Sequence, residues 1–413
     1  MRGALLACLD GSCAPFVLAF LLAALVAWAA VPGAAALARK WNAIDVPGGR
    51  HAHRAPTPRL GGLSILMALL AAVPLSMSLL RYELGDTEDR TAAILLIAVL
   101  VASIGVRDDI RPLRPAHKLL GLSMAGVALV FSGNYVCFVE IPFVGRFWVQ
   151  PIGGLLTIGW LVACTNAVNL IDGVDGLGSS VVLVASSVLA LLAVSLDDMD
   201  GAILLLALAG ACAGFLIHNR EPARIFLGDS GSLLLGYLLA AVSISGSSKR
   251  ATALFLIAAI CALAVPLMDT TQVFVRRFRD AFGRASRNRI AEALKATAVG
   301  DRGHLHHRLL MRGLTHRQVV RRIALTTLAT SLCALAVLPA GGISGTRICG
   351  CLLAGGIALY RLSLLGKTGP SEPREVVLVP PGRRVTPAAG RPSPPPRPRP
   401  AGKPGTRVPA RSR

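Results

Sequence analysis

Apolar residues run along this chain in stretches of about 20, each closed by a short polar, acidic or basic segment. A helix needs about 17 or more apolar residues to cross the hydrocarbon of a bilayer. On that measure the stretches 16–38, 60–80, 91–106, 118–132, 152–168, 177–195, 201–217, 231–246, 252–275, 321–340 and 343–365 predict about eleven transmembrane helices. The shorter runs, such as 91–106, sit at the edge of that length. The fold expected is an all-α polytopic integral membrane protein. LLAC at residues 5–8 and AAVPGAAALA near residue 30 imitate processing sites, but the first apolar run is long and ends in Arg39 and Lys40, as a retained span does.

Composition supports this reading. The 413 residues are 54% hydrophobic and only 16% charged, with a mean hydropathy of +0.62, more apolar sequence than a soluble core can absorb. The connectors 39–59, 107–118 and 276–320 are rich in Lys and Arg, whereas 81–90, 133–151 and 196–200 are poor in them or acidic. Positive charge stays on the cytoplasmic side. An outside amino terminus and a cytoplasmic carboxyl terminus follow from the odd number of spans.

Much of the net charge of +21 lies in 276–322 and in the Pro- and Arg-rich tail 366–413. Such a tail has too few apolar residues to build a core, so the chain divides into a membrane domain, 1–365, and a disordered basic cytoplasmic tail, 366–413. A juxtamembrane basic segment serves topology and attraction to anionic lipid; no nucleic-acid fold accompanies it. The nine cysteines are scattered without a CxxC pair, and read as small buried apolar residues.

The ionisable groups are the informative ones. Asp108 and Asp109 lie in 107–118, Asn166, Asn169, Asp172 and Asp175 border the turn 169–176, Asp229 lies in 218–230, and Asp301, Arg302, His304, His306 and His307 lie in 276–320. With the topology drawn, all of these connectors, and 39–59 with them, meet the same cytoplasmic face. An acid within a membrane helix costs roughly 2.5–3.5 kcal/mol at the bilayer centre, so acids kept at this depth imply water, a cation or a partner. Ion-coupled transport would use similar residues, but in broken helices near mid-membrane rather than in connectors on one side. Carboxylates with an amide suit Mg²⁺ or Mn²⁺, which bind substrate phosphates, while the three histidines beside Arg302 and Arg308 suit a pyrophosphate better than a zinc cage. IFLGDSGS, 225–232, opens a helix whose amino end can hold anionic groups.

PTPRLGG (56–62), GVRDD followed by Lys118, NAVNLIDGVDGLGSS (166–180), IFLGDSGS, VPLMDTTQVFVRR (265–277) and DRGHLHHRLL (301–310) occur in the order, and with the topology, of a known family. From about residue 39 to about 365 the chain resembles the polyprenyl-phosphate N-acetylhexosamine-1-phosphate transferases. The last motif resembles the branch that makes undecaprenyl-pyrophosphoryl-GlcNAc more than the phospho-MurNAc-pentapeptide translocases.

The resemblance implies roles. Asp108 is the favoured base or phosphate-orienting residue, with Asp109 beside it, and Lys118 contacts phosphate. Asn169 and Asp229 coordinate Mg²⁺. Asn166, Asp172 and Asp175 belong to the substrate pocket, the two acids lining its nucleotide part, and Phe226 stacks on uracil. Arg302, His304, His306 and His307 hold the pyrophosphate of a UDP-sugar. The implied reaction takes UDP-GlcNAc and undecaprenyl phosphate as partners, at the cytoplasmic face of a bacterial inner membrane; the oligomeric state stays open, a homodimer included. Two features depart from the family pattern: about ten extra residues between Arg277 and Asp301, and Arg107 where an apolar residue is expected.

Overall fold

The computed structural model describes residues 13–46, 56–84, 91–141, 145–245, 249–282 and 304–335. The expected span 343–365, the tail 366–413 and Arg302 lie outside the described residues. The helices are α1 (Ala14–Lys40), α2 (Gly61–Leu84), α3 (Thr91–Ile110), α4 (Pro115–Phe131), α5 (Gln150–Ile171), α6 (Leu177–Ser195), α7 (Met199–Asn219), α8 (Gly228–Ile244), α9 (Lys249–Ala262), α10 (Ala264–Phe282), α11 (Leu305–Met311) and α12 (His316–Leu335). Two small antiparallel ribbons, β1 (Ile44–Asp45) with β2 (Thr57–Pro58) and β3 (Phe138–Ile141) with β4 (Gly145–Trp148), correct the all-α expectation to a mostly helical fold.

Among the described residues six helices, α1, α2, α3, α5, α6 and α7, are long and apolar enough to span a bilayer, so the chain is a multi-pass membrane protein. Helices α4 and α8 are apolar but 17 residues each. The stretch expected to form one span at 252–275 is two helices, α9 and α10, that meet at 68°; counted together they make a seventh span. Pro266 explains the break. Its ring would strike the carbonyl of Ala262 in a continuous helix, and it has no N–H to give.

Small residues set how closely the helices approach. A Cβ on Gly210 or Gly214 of α7 would fall on the carbonyl groups of Phe20 and Ala24 in α1, where Ala19, Ala23 and Ala27 are fully buried. This is the small-xxx-small packing that brings membrane helices together where lipid supplies no hydrophobic drive. The other face of α1 shows Val17, Leu21, Leu25 and Trp28 outward, as a lipid-facing surface does.

Helix α8 is the core of the bundle. It is apolar on every side after Asp229, every residue from Ser230 to Ile244 is buried, and it packs against α2, α3, α5 and α9. Its few polar groups are satisfied inside the bundle: Tyr237 Oη donates to Ile94 O at 3.0 Å, and Trp160 Nε1 of α5 donates to Ser243 Oγ at 2.9 Å. The amino end of this central helix is therefore held from three sides, and the candidate site is built around it.

Candidate active site

Helix α3 delivers the acid pair to the start of α8. Gly105 permits the contact, since a Cβ there would fall on the backbone of Asp229 and Ser230. One turn later the fully buried carboxylate of Asp109 accepts the N–H groups of Asp229 (Oδ1, 2.9 Å) and Ser230 (Oδ2, 2.9 Å), with Arg59 Nε 3.8 Å from Oδ1. Asp109 thus supplies the acceptors that the first turn of a helix lacks, and its charge meets the positive end of the helix dipole. Gly228, at φ +71°, turns the chain into this clamp; a side chain there would meet Asp109 Oδ2 and the backbone of Arg59. The amino end of α8, read as able to hold anionic groups, does hold one here. The protein's own carboxylate takes its N–H groups.

Asp108 points away from that clamp. Its Oδ1 accepts from Leu113 N at 2.6 Å, and its Oδ2 lies 3.5 Å from Lys118 Nζ. Lys118, on the first turn of α4, also donates to Asp229 Oδ2, while Asp229 Oδ1 accepts from Asn169 Nδ2 at 2.9 Å. The same amide donates to Ser232 Oγ at 2.7 Å. Lys118, Asp108 and Asp229 keep 16–17% of their side-chain surface exposed, so this network meets solvent although Asp109 does not. Two neighbouring aspartates have divided the work: one braces the backbone, the other faces the opening.

The turn between α5 and α6 closes a second side. Asp172 Oδ1 accepts from Gly178 N at 3.1 Å and caps α6. Loss of solvent around its carboxyl, with the charges of Asp229, Asp175 and Asp109 adding, raises its pKa from 3.8 to about 7, against the opposing Gly178 bond. Asp175 Oδ2 accepts from Ala223 N at 3.0 Å and ties the turn to the 220–227 loop. Phe226 in that loop is half-buried, its N–H donates to Pro58 O at 2.8 Å and its carbonyl accepts from Gly61 N at 3.0 Å, which carries the PTPRLGG segment, and Arg59 with it, onto the site. Asn166 lies one turn before Asn169, with its amide spent on Val162 O at 2.8 Å. No described hydrogen bond joins it to the acid network.

The histidines form a third side and are not equivalent. His304, 6% exposed, is the N-cap of α11, and its Nδ1 lies 2.9 Å from Asp269 Oδ2; Asp269 Oδ1 accepts from Leu305 N at 2.7 Å. His306 is 2% exposed, stacks nearly parallel on His304 at 5.9 Å, and turns its ring edge to Gly173. Burial, reinforced by His307 and His304, lowers its pKa from 6.5 to about 3, so it is a neutral ring near pH 7. His307, tilted on His306 at 4.3 Å, is the most exposed of the three. The three histidines, expected together at a pyrophosphate, thus have different surroundings: one caps a helix, one is buried and neutral, and one is the outer ring.

Asp269, Arg59 and Ser232 also meet the site; the sequence reading placed them within its motifs but gave them no individual role. Asp269 carried a signal, since it is a carboxylate in an apolar stretch just after Pro266. Among the described residues no group of three Asp, Glu, His or Cys side chains forms a ready metal cage. Asp108 and Asp229 do offer hard oxygens to a shared cation, at present the Lys118 ammonium, with Asn169 alongside. Mg²⁺ is commonly held by one or two carboxylates, waters and substrate phosphates, so this donor set fits it.

Residues 91–247 match glycosyl transferase family 4. The chain is 33% identical to the probable undecaprenyl-phosphate N-acetylglucosaminyl 1-phosphate transferase of Bacillus subtilis, over 79% of this chain and 86% of the relative. It is 34% identical to the decaprenyl-phosphate N-acetylglucosaminephosphotransferase of Mycobacterium leprae, over 74% and 79%. Against the phospho-N-acetylmuramoyl-pentapeptide-transferase of Carboxydothermus hydrogenoformans it is 30% identical, over 68% and 84%. The family match takes in α3 to α8, and with the relatives covered over most of their length the chain belongs to the polyprenyl-phosphate N-acetylhexosamine-1-phosphate transferases of glycosyl transferase family 4.

Proposed function

We propose that the protein transfers N-acetylglucosamine 1-phosphate from UDP-GlcNAc to undecaprenyl phosphate, releasing UMP and forming undecaprenyl-pyrophosphoryl-GlcNAc. The observation that carries this is the Asp108–Lys118–Asp229–Asn169 network at the ends of apolar helices, where a lipid-borne phosphate and a water-borne nucleotide can meet. The named substrates of the Bacillus and Mycobacterium relatives support the choice of sugar and lipid.

In this reading a phosphate oxygen of the lipid attacks the β-phosphorus of the donor and UMP leaves. Asp108 accepts a proton from the lipid phosphate or orients it, and Lys118 moves its charge onto phosphate as substrates arrive. Asp229 and Asn169 would hold Mg²⁺, or Mn²⁺ in its place, which when bound offsets the repulsion between nucleophile and electrophile. Asp172 and Asp175 shape the nucleotide pocket with Asn166 and Phe226. His307 and Arg302 contact the pyrophosphate, with His304 and His306 behind them. Asp109 and Arg59 keep Asp229 at its place by clamping the helix that carries it.

The topology in this reading has eleven spans, with the site on the cytoplasmic face of the inner membrane. Single cysteines at Ser286 and Thr87, in a background lacking native cysteines, are expected to differ in labelling by an impermeant maleimide on intact cells, with only Thr87 reacting. Equal labelling sinks that orientation. The substrate test is a panel of radiolabelled UDP-sugars incubated with purified protein, undecaprenyl phosphate and Mg²⁺. Lipid-extractable label from UDP-GlcNAc is expected; label only from UDP-MurNAc-pentapeptide would assign the chain to the other branch.

A further inference from the structure

We propose that Asp269 is a positioning residue of the transfer reaction: it holds His304 with a proton on Nδ1, so that the ring gains and loses protons only at Nε2. The proposal rests on the site reading above. Asp269 is 2% exposed, on the apolar first half of α10, where an unpaired carboxylate would be costly. Both of its oxygens are committed across one gap, to His304 Nδ1 at 2.9 Å and to Leu305 N at 2.7 Å. A carboxylate has no hydrogen to donate, so the ring must donate. Nδ1 therefore carries its hydrogen whether the imidazole is neutral or charged, and the other nitrogen alone can change state.

The backbone bond makes the aim of the ring dependable. His304 is the extended N-cap of α11, at φ −63° and ψ 150°, and the Leu305 N–H that Asp269 accepts is the next amide along. One carboxylate thereby fixes both the start of a helix and the ring on its cap. A second rung runs parallel, with Arg308 Nη1, one turn along α11, donating to Gln272 Oε1, one turn along α10, at 3.4 Å. The titratable groups around His304 are thus Asp269 across the gap, His306 stacked on it, His307 beyond, and Arg308, which feels the charge of Asp269. Because His306 is held neutral, it places no fixed positive charge against the His304 ring.

Asp269→Asn is the discriminating variant because it keeps the shape and one oxygen acceptor. Leu305 N requires that oxygen, which turns the Asn amide NH₂ toward His304 Nδ1 and moves the ring proton to Nε2. In full-length protein with ¹⁵N-histidine, reconstituted in nanodiscs, the His304 resonances, identified by their loss in His304→Gln, are expected to report Nδ1–H in the wild type and Nε2–H in Asp269→Asn. Turnover of UDP-GlcNAc with undecaprenyl phosphate is expected to fall roughly 10²-fold in Asp269→Asn and in His304→Gln, with the double variant no worse than His304→Gln. Asp269→Glu, which restores a carboxylate at the cost of fit, is expected to outperform Asn. A merely structural Asp269 would give the opposite ranking, with the isosteric Asn nearer wild type. An unchanged tautomer in Asp269→Asn, additive losses in the double variant, or Asn outperforming Glu would overturn the proposal. A wild type that transfers sugar phosphate from no UDP-sugar would overturn the site reading instead, while the tautomer measurement would still decide the Asp269–His304 pairing.

Discussion

The acid half and the histidine half of the site are held in different ways. Asp108, Asp109 and Asp229 sit where three long elements cross, and Asp109 and Lys118 tie them through charged hydrogen bonds to α8, the most buried helix of the bundle. The histidines ride on α11, seven residues long, joined to the bundle by Asp269, by the Arg308–Gln272 bond and by an apolar cluster in which Leu305 and Leu309 take part with Ile171, Val174 and Leu177. In the first half the N–H groups of Leu113, Asp229 and Ser230 are spent on carboxylate acceptors. The second is tied by the Asp269 carboxylate, the exposed Arg308–Gln272 bond and one small apolar cluster. This division suits a reaction in which the attacking phosphate must meet a fixed charge array while the larger nucleotide sugar has to enter and leave.

The largest expected difference between the halves is kinetic. Asp229→Asn should lower kcat on the order of 10³-fold with little change in folding, each factor of ten corresponding to about 1.4 kcal/mol of transition-state stabilisation. His307→Asn should mainly raise KM for the nucleotide sugar, about tenfold, because it removes binding shared by ground and transition states. Steady-state kinetics on purified variants checks both, and equal kcat losses would erase the contrast. Asp108→Asn sharpens it further. If Asp108 serves as a base, activity should recover in part at higher pH, where the lipid phosphate loses its second proton unaided, the second pKa of a phosphate monoester being about 6. No recovery, together with labelled protein trapped without lipid, would point to a covalent aspartyl intermediate instead.

Next in size is a packing effect. Gly105→Leu would force side-chain atoms into the backbone of Asp229 and Ser230, which cannot yield as a flexible side chain can, and should cost more than the roughly 1–3 kcal/mol typical of overpacking. Loss of monodisperse protein by size-exclusion chromatography in detergent is the expected outcome. The same replacement at Gly313, a described glycine with open space around a would-be Cβ and φ +84°, should cost only backbone strain.

The smallest effects are opposite in sign. His306 is held neutral with its pKa at about 3, so below its ordinary value of 6.5 the unfolded chain takes up a proton that the folded chain refuses. Stability should fall as pH drops from 6.5 toward 3, and His306→Phe should flatten that slope. Asp172 keeps its proton up to about 7 in the fold but only to 3.8 outside it, so its contribution falls as pH rises between those values. Asp172→Asn, which keeps an acceptor for Gly178 N, should gain on wild type from pH 5 to pH 8. Apparent Tm values across that range test both, and parallel curves for variant and wild type would remove either assignment.

Much of the bundle was legible because membrane helices obey a length rule. Helices α1, α2, α3, α5, α6 and α7 fall within a few residues of the apolar stretches that predict them. The break at Leu263 was not read from 252–275, since hydropathy is blind to what Pro266 does to the preceding carbonyl. The hairpin of β3 and β4 was missed because a short ribbon between spans leaves no apolar run to notice. In the site, residue type located the acids, but Asp108 and Asp109 are adjacent and alike in sequence. Only the approach of α3 to α8 at Gly105 decides which one braces the helix. His304, His306 and His307 likewise differ through burial, which follows from Asp269 and Gly173, both distant in the chain.

With Asp109 bound across the N–H groups of Asp229 and Ser230, those two donors at the start of α8 are not open to a ligand. A phosphonate or carboxylate built to imitate a phosphate would find those donors spent and a carboxylate in front of them. For inhibitor chemistry the complementary group is of the other sign: a compact cation seated between Asp108 and Asp229, displacing the Lys118 ammonium, with a uridine-like arm running toward the turn that carries Asp172 and Asp175.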